Sequence, residues 1–215
     1  FGGHFHNDNS LAVFRDLPGV IVACPSNGID AVKMLRRAVL EAYINSRITV
    51  FIEPIALYMV KDLHKTKDAK WSFNYPSPEE DIPIGEFGVH GRGSSLTIIS
   101  YANGFYLSMQ AKLEIEKQIN KTIKIIDLRW LSDINISDLI KSIGKCSKIL
   151  VVDECRKNGC YGEGLVADII AASNNPIDIR LHAAENSFIP LGEAATVTLP
   201  SKQSIIDNAI ELYNE

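Results

Sequence analysis

The 215-residue sequence has few cysteines, no long apolar run and no excess of basic residues. Its cysteines do not have the spacing of a disulfide framework or a zinc finger, so reduced thiols are predicted. No apolar run approaches the ~18 residues of a membrane span, so no membrane association is expected. The net charge of −4 comes with mixed signs, so nucleic acid is not an expected partner.

The composition that is present is that of a globular protein. Apolar residues make up 46% of the chain and charged residues 22%, which is sufficient for a packed core. A chain of this length holds one large or two small domains, because domains usually contain ~100–200 residues. We expect a cytoplasmic protein, or a protein of the mitochondrial matrix in a eukaryote.

Short apolar, β-branched segments alternate with segments of helical periodicity, which predicts an α/β fold with a mainly parallel, doubly wound sheet. The segments predicted as strands are 19–25, 48–52, 95–100, 123–128, 149–154 and 177–181, and those predicted as helices are 31–42, 107–119, 136–143, 165–172 and 204–213. Charges and three prolines interrupt this alternation in residues 61–92, which we interpret as a linker with room for a short edge hairpin. We therefore expect two α/β parts, with Ile98, Ile125 and Val151 in one sheet of the second.

The first nine residues contain two glycines, two histidines and adjacent amide and carboxylate side chains. Glycine permits a positive φ or a close approach to a bound group, and histidine exchanges protons near neutral pH. The pattern fits an active-site loop, and it also fits a polar loop that caps a domain. His4, His6 and Asp8 are residue types that bind metals, but no third or fourth ligand is evident, so no catalytic metal is predicted.

The remaining polar motifs have mostly structural interpretations. The glycines at 159, 162 and 164 do not form a dinucleotide-binding fingerprint and more simply fit a tight strand-to-helix turn. His64 and His90 are expected to face solvent from the linker, and His182 to lie at the edge of the core. Asp153 and Glu154 follow a predicted strand, where parallel sheets bind ligands, and indicate a polar site or an interface.

Five short segments, taken in order, carry a resemblance that spans nearly the whole chain. They are residues 2–10 (GGHFHNDNS), 17–20 (LPGV), 51–58 (FIEPIALY), 126–129 (IDLR) and 150–154 (LVVDE), followed by the glycine turn that ends in Glu163. This series resembles the beta subunit of thiamine-diphosphate-dependent 2-oxo acid dehydrogenases, in the transketolase superfamily. The resemblance could also fit the C-terminal half of a fused chain.

The resemblance implies a domain organisation and a set of site residues. Residues 1–60 correspond to the back half of a pyrimidine-binding domain, 61–92 to a linker, and 93–215 to a transketolase C-terminal-type domain. The catalytic histidine of the family corresponds to His6. His4, Asn7 and Asp8 lie near that site, with Asn7 and Asp8 in place of the usual Ser-Gln pair and His4 in place of a neutral residue.

The resemblance also implies what the chain works with. In the complete enzyme, thiamine diphosphate and Mg²⁺ are bound mainly by parts outside this sequence, so the chain alone is expected to be inactive. Its expected partners are an alpha subunit or a fused alpha domain, a second beta copy in a dimer, and the lipoyl domain of an acyltransferase. A histidine acid near neutral pH suits the protonation of the thiolate that leaves when lipoyl accepts the acyl group.

Two alternatives remain open from the residues. A transketolase or a deoxyxylulose-phosphate synthase shares the domain order, and a non-catalytic assembly fragment would need only the second domain. The segments 51–54 and 126–129 favour the dehydrogenase. The 2-oxo acid (pyruvate, a branched-chain 2-oxo acid or 2-oxoglutarate) is not specified, because its pocket is expected to lie largely outside this chain.

Overall fold

In a computed structural model of the chain, the structure describes residues 9–215. Strands and helices alternate along this part, joined by short 3-10 helices. In chain order the elements are β1 (Ile21–Ala23), α1 (Gly28–Asn45), β2 (Thr49–Phe51), β3 (Gly88–His90), β4 (Thr97–Ser100), α2 (Ala102–Ile119), β5 (Lys124–Asp127), α3 (Ile136–Ile143), β6 (Lys148–Arg156), α4 (Tyr161–Ala172), β7 (Asp178–Ala184) and α5 (Lys202–Asn214).

The larger sheet has the strand order β3-β5-β4-β6-β7, and we call it the C-terminal sheet. Strands β4 to β7 are parallel, and β3 is antiparallel to β5 at the edge. Ile98 pairs with Ile125 and Ile99 with Val151, so the predicted sheet is confirmed. The α/β class with a mainly parallel sheet is confirmed as well. Strand β3 lies within the segment interpreted as a linker, and the domain boundaries themselves stay a prediction.

Most side chains of the central strands β4, β5 and β6 are buried on both faces, as parallel strands require. Because side chains alternate along a strand, Ile98 and its neighbours in register contact one helical layer, and Ile99 and its neighbours contact the other. The first layer contains α2 and α5 and the second contains α3 and α4. The helices therefore cover both faces of the sheet. Polar side chains lie at the carboxyl ends of its strands.

Strands β1 and β2 form a separate parallel pair, joined by α1, and we call β1-α1-β2 the first unit. This unit docks on the loop that follows β5. Cys24 N donates to Arg129 O at 2.7 Å, Leu131 N donates to Val22 O at 2.8 Å, and Ala23 forms an antiparallel bridge with Trp130. Val22 and Cys24 share a buried cluster with residues of the C-terminal sheet. The two parts are thus held together by one continuous core.

Candidate functional site

The histidine motif lies at the start of the chain, and residues 1–8 fall outside the described residues. The roles assigned to His6, and to His4, Asn7 and Asp8 near it, therefore stay predictions. The chain enters the described part beside the carboxyl ends of β6 and β7. There Asn9 lines a small cavity with Glu154.

The 3-10 helix that follows the motif (Leu11–Asp16) is clamped onto the glycine turn before α4. Arg15 Nη1 donates to the carbonyl oxygen of Cys160 at 2.5 Å, and its guanidinium lies 5.9 Å from the centre of the Tyr161 ring. A Cβ at Gly164 would lie 1.9 Å from Arg15 Nη2, so glycine provides the space for this contact. The glycine turn thus serves to fix the segment next to the motif, a role that its spacing did not reveal.

Asp153 organises the turn from β6 into α4. It is buried, and its Oδ1 accepts hydrogen bonds from Tyr101 Oη at 2.6 Å and from Cys155 N at 2.8 Å. Its Oδ2 accepts from Gly162 N at 2.7 Å, where a Cβ would lie 2.6 Å from Leu181 Cδ1. Burial raises the pKa of Tyr101 well above its usual value, and the Asp153 carboxylate adds to that shift. These contacts give Asp153 a structural role.

Glu154 is one of the groups at this end of the sheet that are suited to proton exchange. It lies between the carboxyl ends of β4 and β6, where the strand order reverses and α/β sheets bind ligands. Asn103 Nδ2 donates to its Oε1 at 2.6 Å. Burial raises the pKa of Glu154 to about 7, and the neighbouring Asp153 raises it further against the opposing Asn103 hydrogen bond. At the expected polar site, Asp153 therefore holds the turn through hydrogen bonds, and Glu154 carries a carboxyl group with a raised pKa.

A second buried carboxyl group lies where the first unit meets the C-terminal sheet. Asp127, at the end of β5, accepts a 2.8 Å hydrogen bond from Ser26 Oγ. Two residues further on, Arg129 has a φ of 61° and donates from Nε and Nη2 to the two oxygens of Asp30, on α1, at 2.9 and 3.2 Å. Residues 126–129, one of the five segments that carry the resemblance, thus join the first unit to the C-terminal sheet.

The segment 51–58 forms one wall of an apolar groove of about 580 Å³. The groove opens at the carboxyl ends of β1 and β2, beside the first turns of α1. Glu53 and Tyr58, which are hydrogen-bonded to each other, lie on one side, and Trp71 and Phe73 on the other. One face of α1 continues the apolar surface beyond the groove.

The other histidines have limited chemical roles. His64 is exposed, as expected. His182 is half-buried, with Nε2 2.8 Å from Ser204 Oγ. The expectation that His90 faces solvent is wrong, because β3 pairs with β5 and brings the ring of His90 to 4.9 Å from that of Phe105. In residues 9–215 no cluster of three or more His, Cys, Asp or Glu side chains could hold a metal ion.

The second part of the chain is similar to a known family of domains. Residues 85–184 match the family described as transketolase, C-terminal domain. A structure titled "Split gene transketolase, inactive beta4 tetramer" superposes with a TM-score of 0.68 at 17% identity, covering 99% of this chain and 64% of that one. A transketolase from Campylobacter jejuni superposes with a TM-score of 0.51 at 13% identity, covering 94% of this chain and 27% of that one. These likenesses show a shared fold.

The sequence is similar to the beta subunit of the pyruvate dehydrogenase E1 component. It is 30% identical over 222 residues to that subunit of Staphylococcus aureus, covering 98% of this chain and 62% of the relative. It is 29% identical over 218 residues to that of Staphylococcus epidermidis, covering 97% and 62%. The resemblance that the five segments carry is confirmed. The chain spans 62% of the length of these relatives. None of the described helices has the length and apolarity needed to cross a membrane.

Proposed function

We propose that the chain is part of the decarboxylating dehydrogenase component of a 2-oxo acid dehydrogenase complex. That component oxidatively decarboxylates a 2-oxo acid and transfers the acyl group to lipoyl. The observation that carries the proposal is the similarity to pyruvate dehydrogenase E1 beta subunits over nearly the whole chain. Pyruvate is accordingly the first substrate to test, ahead of branched-chain 2-oxo acids and 2-oxoglutarate.

The described residues do not fit a complete thiamine-diphosphate site. Mg²⁺ in such sites is held by oxygen ligands and substrate-like phosphates, and residues 9–215 contain no cluster of acidic side chains suited to it. In keeping with the resemblance, we assign cofactor binding mainly to an alpha subunit or fused alpha domain. Within this chain, the proposal gives His6 the task of delivering a proton at the acceptor step.

Reconstitution tests this function directly. The full-length polypeptide that contains this chain is combined with an alpha subunit, thiamine diphosphate, Mg²⁺ and a lipoyl domain, and acylated lipoyl is measured by mass spectrometry. We expect acylation from pyruvate only when both chains are present, and none from the 215-residue chain alone. Transfer of a two-carbon unit from a ketose to an aldose, without lipoyl acylation, would contradict the proposal and support a transketolase, the second candidate that the fold allows.

The exposed face of α1 is suited to contact with a second copy of this chain. Leu35, Val39 and Tyr43 follow one another at four-residue spacing and are 50%, 61% and 88% exposed. Leu35 borders the groove near the start of α1, whereas Tyr43 projects near its end. If two α1 helices pack antiparallel about a two-fold axis, each Tyr43 lies over the groove of the other copy. One surface then supplies both the projecting side chain and its pocket, as an isologous interface requires.

Tyr43→Glu is expected to weaken this dimer without unfolding the chain. A carboxylate placed in an apolar groove must be desolvated, and aromatic side chains at the centre of interfaces contribute ~2 kcal/mol or more. The dissociation constant, measured by analytical ultracentrifugation, should rise by roughly 30-fold or more, while the melting temperature stays close to that of the wild type. Glu41→Gln on the same helix is the control. An unchanged dissociation constant for Tyr43→Glu would rule out this surface.

A further inference from the structure

The contact between Ser26 and Asp127 joins the first unit to the C-terminal sheet through a buried carboxyl group. Asp127 is fully buried, and Ser26 Oγ donates to its Oδ1 at 2.8 Å from the loop between β1 and α1. Its Oδ2 is also buried and has no hydrogen-bond partner of normal geometry among residues 9–215, and the backbone N–H of Arg129 lowers the pKa of the carboxyl group without reversing the effect of burial. A buried acceptor without a partner is costly, and far more so when it is charged. The closed contact therefore favours the protonated carboxyl group.

The nearest charged side chains do not compensate an ionised Asp127. Arg129 is the nearest cation, but its Nε and Nη2 are directed at both oxygens of Asp30 on α1. Its Nη1 also lies 3.8 Å from Glu86, in the segment before β3. Asp30 itself opposes ionisation of Asp127 by its negative charge. One guanidinium thus serves three carboxyl groups, and of these only Asp30 is hydrogen-bonded to it.

The other described elements around Asp127, within residues 9–215, supply no further cation. On β1, Cys24 is a buried thiol whose pKa is raised by burial and then by the charge of Asp127. On β4, the residue in register with Asp127 is Ser100. On β3, the pKa of His90 is lowered by burial and by the charge of Arg129, with Asp30 opposing the shift. Glu154 on β6 is a further acid near Cys24.

We propose that Asp127 is a proton-linked latch between the first unit and the C-terminal sheet. It is protonated while the Ser26 contact is closed, and it ionises when the contact opens and water reaches the carboxyl group. Ser26 also lines the apolar groove, so opening of the latch changes one wall of that groove.

The sign of the pH dependence follows from the two states. In the closed state burial raises the pKa of Asp127 to about 7, with Asp30 adding to the shift and the Ser26 and Arg129 interactions opposing it. In the open state the pKa returns to its usual range near ~4. Between these values the closed state holds a proton that the open state has released. The closed state is therefore favoured at low pH, and this advantage is lost as the pH rises through about 7.

Hydrogen exchange on the full chain tests the latch at amides of this interface. The amide of Cys24 is bonded to Arg129 O and that of Leu131 to Val22 O, so both are released when the contact opens. After correction for intrinsic exchange, their opening constants should rise by roughly 100-fold between about pH 5 and pH 8 in the wild type. Asp127→Asn keeps an oxygen for Ser26 and removes the titration, so its opening constants should stay level over that range.

Two control variants separate Asp127 from its titratable neighbours. Glu154→Gln and His90→Gln should both retain the wild-type pH dependence, because neither carries the proton of the latch. The proposal is overturned if Asp127→Asn keeps the wild-type slope or if either control abolishes it. Where Asp127→Asn does not fold, ¹³C NMR titration of the Asp127 carboxyl in the wild type decides. A midpoint near about 7 supports the latch, and one below ~5 overturns it.

Discussion

Replacing His6 with alanine in the reconstituted enzyme is expected to slow acyl transfer to lipoyl by roughly 10²–10⁴-fold, the loss typical of a positioned proton donor. Folding and cofactor binding should change little, because the proposal assigns this histidine to a proton transfer and leaves the cofactor to the alpha partner. The measurements are the melting temperature, the affinity for thiamine diphosphate and the lipoyl-linked rate. The rate with an artificial electron acceptor should fall less, since that reaction needs no protonation of a leaving thiolate.

His4→Ala is the matched control for this loop. The family pattern does not require a histidine at that position, so the lipoyl-linked rate should fall much less than in His6→Ala. If His6 only stabilises the loop, the opposite result is expected: a lower melting temperature with an unchanged rate per folded molecule. Equal lipoyl-linked rates for the wild type and His6→Ala would end the catalytic assignment.

Asp153→Ala is expected to cost the chain about 3–5 kcal/mol of unfolding free energy. The substitution leaves the Tyr101 hydroxyl and the amides of Cys155 and Gly162 without the acceptor that each has now. All three donors are buried, so water cannot replace the carboxylate without opening the turn between β6 and α4. The free energy of unfolding, measured with urea, checks this value.

Asp153→Asn is the graded comparison for this turn. The asparagine oxygen can still accept from Tyr101 and Cys155, but its NH₂ group faces the amide of Gly162, so an intermediate loss is expected. Asp168→Asn, at an exposed position on α4, controls for loss of charge alone. A loss below ~1 kcal/mol for Asp153→Ala would show that the turn does not depend on the carboxylate.

The sheet could be predicted because its strands are short, β-branched and apolar on both faces. Ile98, Ile125 and Val151 lie in such segments, and the helices between them leave few topologies. The position of strand β3 could not be predicted, because Gly88-Val89-His90 contains no apolar run. Its partner strand, β5, lies more than 30 residues further along the chain. The half-buried position of His90 follows from that pairing.

The sequence predicts where the candidate site lies, but it does not predict which groups its residues contact. A carboxyl pair after a strand indicates a polar edge, but residue types do not reveal that Asp153 meets three donors whereas Glu154 meets one. The contact of Arg15 with the Cys160 carbonyl joins residues 145 positions apart, and no local pattern encodes it. The sequence likewise does not reveal the contact between Ser26 and Asp127, because it forms only when the first unit docks and buries both residues.

The small size of the β1–β2 pair has a consequence for biosynthesis. A two-stranded sheet is marginal by itself in water, and each of these strands has three residues. Within residues 9–215, the backbone partners of β1 outside the pair are Arg129, Trp130 and Leu131, and these residues leave the ribosome later because synthesis proceeds from the N-terminus. The contacts that dock the first unit on the C-terminal sheet can therefore form only after β5 has been synthesised.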